Sequence, residues 1–209
     1  MKLADMQVTA FVDLVASDAP APGGGSVAAL AGGIGVALAA MVSGLTVGKK
    51  KYADVQELVL SSQKEAAALQ ARFIDVMDRD TEAFNVVSAA FGMPKDTDEQ
   101  KAARTAAIQD GLKACTKTPF EMMELAAASI DLLAGLIGKT NESAASDLGV
   151  AALSLKTAMQ SAWLNVLINI GSIKDQAFAD EYRAKGEAML ARCLPLADAC
   201  YNKILASIE

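Results

Sequence analysis

The sequence predicts an all-α protein: a single-domain bundle of about seven helices around a buried central helix rich in alanine and glycine. Three observations predict it. Hydrophobic residues make up 53% of the 209-residue chain, but aromatic residues only 5%. Alanine is abundant while runs of Val, Ile, Thr and Tyr are few, which favours closely packed helices over sheets. Residues 27–48 carry no charge and repeat small side chains every fourth position. The length suffices for one domain with its own core, and no repeat or linker divides it.

The first helix is expected over 3–16, with Val8, Phe11, Val12 and Val15 on one face. Residues 17–26, with two prolines and three glycines, read as a loop, and Ser26 as the N-cap of the next helix. That helix, 27–48, is long enough to cross a bilayer, and Lys49, Lys50 and Lys51 follow it. Its Ala/Gly composition gains little in lipid and lacks an aromatic belt, so a buried central helix is the better reading. Ala28, Gly32, Val36, Ala40 and Gly44 form one stripe; Ala31, Gly35, Ala39 and Ser43 form another. The two stripes admit close neighbours from two sides. A long amphipathic helix follows over 54–91. Thr97 to Gln100 reads as a capping box for a helix ending near Thr116. Thr118-Pro119-Phe120-Glu121 reads as a restart that runs to Gly138. Helices over 143–170 and 175–207 complete the set, the last kinked or broken before Pro195.

Composition narrows the function. The net charge of -6 disfavours a nucleic-acid partner. The cysteines Cys115, Cys193 and Cys200 are few and odd in number, which suits a reducing cytoplasm. Lys2, Asp5 and Asp13 interrupt any secretory signal. The chain has no histidine. Proton transfer near neutral pH then falls to Asp, Glu, Lys, Tyr or Cys with a shifted pKa, or to water. Zinc and iron lose their commonest ligand, so no metal site is expected.

Four segments carry candidate chemistry. Gly23, Gly24, Gly25 and Ser26 let backbone N–H groups meet an anionic or electron-rich group at a helix start; a tight turn into a buried helix explains them equally well. Lys49, Lys50, Lys51 and Tyr52 either cap a helix dipole or hold a carboxylate-rich ligand, with Lys51 a possible proton donor. Asp75, Asp78 and Glu82 share one helix face while Asp80 points elsewhere. An inward Asp80 would have a raised pKa and act as base or acid. Asp147 complements a helix dipole, and Asn165 and Asn169 continue its stripe as amides needing partners in an apolar run. Asp147 and Asn165 lie ~27 Å apart along one helix. They line two parts of a long ligand or belong to two sites related by dimer symmetry.

The ordered set PAPGGGSVAALAGGIGVAL (20–38), LTVGKKKY (45–52), DRDTEAFNVV (78–87), SDLGVAAL (146–153), AWLNVLIN (162–169) and IKD (173–175) resembles the cyclodeaminase/cyclohydrolase family of tetrahydrofolate enzymes. The resemblance implies an all-α cytoplasmic homodimer without metal or prosthetic group, acting at the carbon that bridges N5 and N10 of tetrahydrofolate. Cyclohydrolases open methenyltetrahydrofolate to 10-formyltetrahydrofolate with water. Cyclodeaminases close formiminotetrahydrofolate and expel ammonia. On positions matching that pattern, residue chemistry assigns Asp147 or Asp80 as the base and Lys51 as a polarising or proton-shuttling group, which makes Asp147, Asp80 and Lys51 the expected catalytic set. Lys49 and Lys50 would hold the glutamate tail, and Tyr52 stands beside them. Asn165 and Asn169 would meet the pterin or orient a catalytic acid, and the glycine loop with Ser26 would close over substrate. The missing transferase half tilts the choice to cyclohydrolase. A non-catalytic folate-binding bundle and a membrane helix protein are the other classes. All these groups are expected around one cavity.

Overall fold

Helix α1 (Val8–Val15) is followed by α2 (Gly24–Gly44), and α2 runs through the middle of the bundle. The protein is described here from a computed structural model covering residues 2–209. After a 3-10 turn at Lys50–Val55 come α3 (Gln56–Phe91), α4 (Asp98–Leu136), α5 (Ala145–Ile170) and α6 (Gln176–Ile208). Among the described residues there are six α-helices and no strand.

The small-residue stripes of α2 explain its place. A side chain at Gly32 would overlap the Phe73 ring of α3, and one at Gly35 would press on Leu155 of α5 at 2.9 Å. Each glycine permits an approach that alanine would block, which offsets its poor helix propensity. Helix α2 is apolar enough to cross a membrane by length and composition. In this fold it is the core helix, with Ala28, Ala29, Val36, Ala39 and Val42 essentially inaccessible. Its buried Ser43 hydroxyl donates to the Ala39 carbonyl.

Four local expectations change. The first helix, expected over 3–16, is a 3-10 turn at Leu3–Asp5, an extended Met6–Gln7 and then α1. Helix α2 starts one turn early: Gly23 is its N-cap, and Ser26 lies inside the first turn with no capping bond. The buried Ser26 hydroxyl instead pairs with that of Thr81 at 3.1 Å. Thr118-Pro119 begins no helix. Pro119 sits buried inside the continuous 39-residue α4, so two expected helices are one and seven becomes six. Likewise α6 is not broken at Pro195 but continues through it; the proline removes the bond to the carbonyl of Ala191, an exposed residue. The capping box stands as expected, with Gln100 N–H donating to Thr97 Oγ1 at 3.3 Å.

Helices α2 and α5 lie antiparallel, since Gly24 faces Asn165 while Gly35 faces Leu155. This places the start of α2 by the end of α5, and the lysines after α2 by the start of α5.

Candidate active site

At the start of α2 the chain opens into a cavity of about 300 Å³. It is lined by the loop Pro20–Ala21 and Gly23 to Gly25, by Asp80, Thr81 and Phe84 of α3, by Cys115 of α4, and by Asn165, Ile168 and Asn169 of α5. Asp80 is its acidic group. The carboxylate lies directly over Gly25, where an added Cβ would overlap it; glycine here is required by close approach. Its Oδ1 accepts from the Thr118 hydroxyl at 3.1 Å. Burial pushes the Asp80 carboxyl above its ordinary range, and the Thr118 bond partly opposes that. Next to it, burial and then the Asp80 charge push the Cys115 thiol up to about 11, so this thiol is a neutral wall near pH 7.

The first intrahelical bond of α2 runs from Val27 N–H to Gly23 O. The preceding N–H groups have no partner within the helix, and the positive end of a long helix faces the cavity. Both asparagine amides are held from behind. Asn165 Nδ2 donates to Ser161 O at 2.8 Å; Asn169 Nδ2 donates to Cys115 O at 2.7 Å and to Asn165 O at 2.8 Å. Both donors of Asn169 are thus used and one of Asn165, and each Oδ1 is left as an acceptor. Phe84 and Ile168 supply apolar walls. Arg79, next to Asp80 in sequence, turns away to Glu121 at 2.9 Å and Asp75 at 2.6 Å. Among the described residues no lysine or arginine lines this cavity.

The remaining candidates form a second corner. Lys51 Nζ pairs with Glu142 at 2.7 Å, and Glu142 N–H donates to the Tyr52 hydroxyl at 3.1 Å. The Glu142 bond raises the Lys51 pKa. Lys49 and Lys50 are exposed. Asp147 is half-buried in the first turn of α5, five residues after Glu142. Helix α2, with 21 residues, separates the two corners by about 30 Å. The expectation of a single cavity is therefore corrected: within one chain Gly23, Gly24, Gly25, Asp80, Asn165 and Asn169 meet with Ser26 behind them. Lys49, Lys50, Lys51, Tyr52 and Asp147 lie at the opposite end. The reason is the antiparallel α2–α5 pair, which sends the two halves of α5 to different ends of α2.

Sequence reasoning missed Thr81, Phe84, Cys115, Thr118 and Ile168. Phe84 was available four positions after Asp80, on the same helix face; Thr81, one position on, was not marked by that spacing. Thr118 was hidden because it was read as a cap.

The all-helical fold and a polar cavity built round a half-buried carboxylate fit an enzyme of small-molecule C–N chemistry. The formiminotransferase-cyclodeaminase family profile matches residues 7–188, and the chain belongs to that family. It is 39% identical over 202 residues to a methenyltetrahydrofolate cyclohydrolase of Methylorubrum extorquens, covering 97% of each chain. It is 34% identical to the formimidoyltransferase-cyclodeaminase of Rattus norvegicus, covering 90% of this chain but 35% of that one. The chain thus spans about a third of those fused relatives. The crystal structure of formiminotetrahydrofolate cyclodeaminase from Thermotoga maritima superposes with a TM-score of 0.84 at 27% identity, covering 99% of this chain and 97% of that one.

Proposed function

We propose that the protein is a methenyltetrahydrofolate cyclohydrolase, opening 5,10-methenyltetrahydrofolate to 10-formyltetrahydrofolate, with Asp80 as the proton-transfer group. The carrying observation is Asp80 itself: a carboxylate with a raised pKa, seated over Gly25 and flanked by two amides whose oxygens are free to accept. Full-length similarity to a cyclohydrolase supports the choice of reaction.

The steps follow from the charges. The methenyl carbon is cationic, and a nearby carboxylate favours it. Asp80 takes a proton from water as the oxygen bonds to that carbon, then returns it to N5 as the carbon–N5 bond breaks. The remaining hydroxyl proton leaves as the formyl C=O forms. Asn165 and Asn169 accept from pterin N–H groups, and the apolar Phe84 and Ile168 flank the rings. The start of α2 favours the electron-rich oxygen. No prosthetic group enters these steps.

The assembly we infer is a homodimer in which the two corners meet. Val27, Ile34, Met41 and Leu45 are exposed along one stripe of α2, and Val150, Leu153, Leu164 and Ile168 along one stripe of α5. The contacts of Gly24 and Gly35 turn both stripes to the same side. Ile168, 73% exposed, carries this apolar face to the cavity rim. An isologous two-fold across its middle reverses α2 against the partner's α2. Each lysine corner then stands beside the other subunit's glycine corner. Lys49 and Lys50 meet the carboxylates of a glutamate tail, and Lys51, Tyr52 and Asp147 approach the reacting end. Three free cysteines suit the cytoplasm.

The second reading, a formiminotetrahydrofolate cyclodeaminase, is favoured by the Thermotoga maritima structure and the fused relatives. There N10 attacks the formimino carbon and its proton passes to the formimino nitrogen; protonated Asp80 gives that nitrogen a second proton as it leaves as ammonia. One preparation tests both readings. Faster loss of the methenyl chromophore than in buffer supports the cyclohydrolase. Gain of that chromophore from formiminotetrahydrofolate, with ammonia, supports the cyclodeaminase. Absence of both changes would refute an enzymatic role.

A further inference from the structure

We propose that the turn of α4 from Cys115 to Pro119 is a positioning device for the cavity. Thr118 holds the Asp80 carboxylate, and proline at 119 leaves the Cys115 carbonyl free to hold Asn169. The proposal rests on the reading of Asp80 as the proton-transfer group.

Four buried hydroxyls in or just after these helices show the ordinary behaviour. Ser43, Thr46, Thr116 and Ser129 each donate to the carbonyl four residues back. Thr118 departs from it and reaches across to Asp80 of α3. Next to it Pro119 has no N–H, so the Cys115 carbonyl loses its helical donor. That carbonyl is occupied instead by Asn169 Nδ2 at 2.7 Å. One turn of α4 thus departs twice from helical bonding, and each departure ends on a polar residue of the cavity. Neither Thr118 nor Pro119 lines the cavity, so both act through others.

Asp80 is met by Gly25 of α2, Thr118 and Cys115 of α4, and its own-helix neighbour Thr81; the cavity residues of α5 are the neutral Asn165, Ile168 and Asn169. Cys115 is the titratable group among these, and its thiol stays protonated below about 11. Arg79 is engaged by Glu121 and Asp75. The Thr118 bond favours the ionised carboxylate, so its loss raises the pH at which Asp80 gains its proton.

The test measures the acid limb of kcat/KM against pH and, separately, the titration of the Asp80 carboxyl carbon by 13C NMR. Both are run on the unaltered full chain and on Thr118→Val, Thr118→Ser and Pro119→Ala, and turnover alone is measured on Asp80→Asn. Thr118→Val should move both curves up by about one pH unit, and Thr118→Ser should return them. Pro119→Ala should lower kcat and leave the acid limb in place, because it loosens Asn169 and not Asp80. Unmoved curves in Thr118→Val, or equal shifts in the Val and Ser variants, would overturn the proposal. If Asp80→Asn is inactive while Thr118→Val titrates as the parent does, only the positioning role falls. If Asp80→Asn keeps its turnover, the reading of Asp80 falls and the proposal with it.

Discussion

The glycine corner and the lysine corner sit at opposite ends of α2 and use charged residues in opposite ways. At the glycine corner a carboxylate is enclosed without a cation, its pKa raised by burial. At the lysine corner the ions remain in water: Lys51 and Glu142 are paired with side chains 64% and 77% exposed. Such a pair contributes little to stability, but exposed ammonium groups stay available to an anionic ligand. Burial creates the reactive group, and exposure suits the binding group. In the function proposed above, Asp80 of the first corner transfers the proton, and the second corner supplies the tail-binding lysines and Asp147.

Substitutions can break that division, beginning with the largest effect. Asp80→Asn should lower kcat by about 10²–10⁴-fold while thermal unfolding near pH 7 moves upward. The sign follows from linkage. With the folded pKa above the ordinary 3.8, the native state binds more protons than the unfolded chain in that window. Native stability then falls as pH rises through it. The Asn variant carries no such penalty, so a melt at neutral pH checks the claim. Asp147→Asn should keep the fold and lose most turnover; near-normal turnover would remove it from the catalytic set. Gly25→Ala should cost about 10²-fold in kcat, since the new methyl displaces the Asp80 carboxylate; steady-state kinetics with an unchanged circular-dichroism spectrum would establish it. Lys49→Ala with Lys50→Ala should raise KM most for substrates with long glutamate tails and leave kcat alone. An equal loss at every tail length would end the tail role. Glu142→Gln should shift the unfolding temperature by no more than about 2 °C.

Much of the fold was legible in the sequence because its signals are local. The glycines of α2 were visible as stripes, and the structure sets Gly32 against Phe73 of α3 and Gly35 against Leu155 of α5, on the two sides that the stripes implied. The capping box at Thr97 was equally direct. Helix boundaries at prolines were not legible. Pro119 reads locally as a start, and only a tertiary partner for the Cys115 carbonyl shows why it is tolerated inside α4. The inward turn of Asp80 could be read from its register against Asp75, Asp78 and Glu82. What it faces could not, because Gly25 and Thr118 lie 55 and 38 positions away. The separation of Asp147 from Asn165 was legible as helix length. That Asn165 shares its cavity with Asp80 depends on which end of α5 meets the glycine loop, a matter of helix direction that no local pattern carries.

The most direct test of the two-corner account is subunit complementation between Asp80→Asn and Asp147→Asn chains. Each is inactive alone by this account, and the two are mixed by joint unfolding and refolding. If each cavity is completed by the partner's corner, a mixed dimer holds one site with both carboxylates intact. Activity should then return to about a quarter of the unaltered level for random pairing. No recovery, with mixed dimers demonstrated by mass, would contradict it.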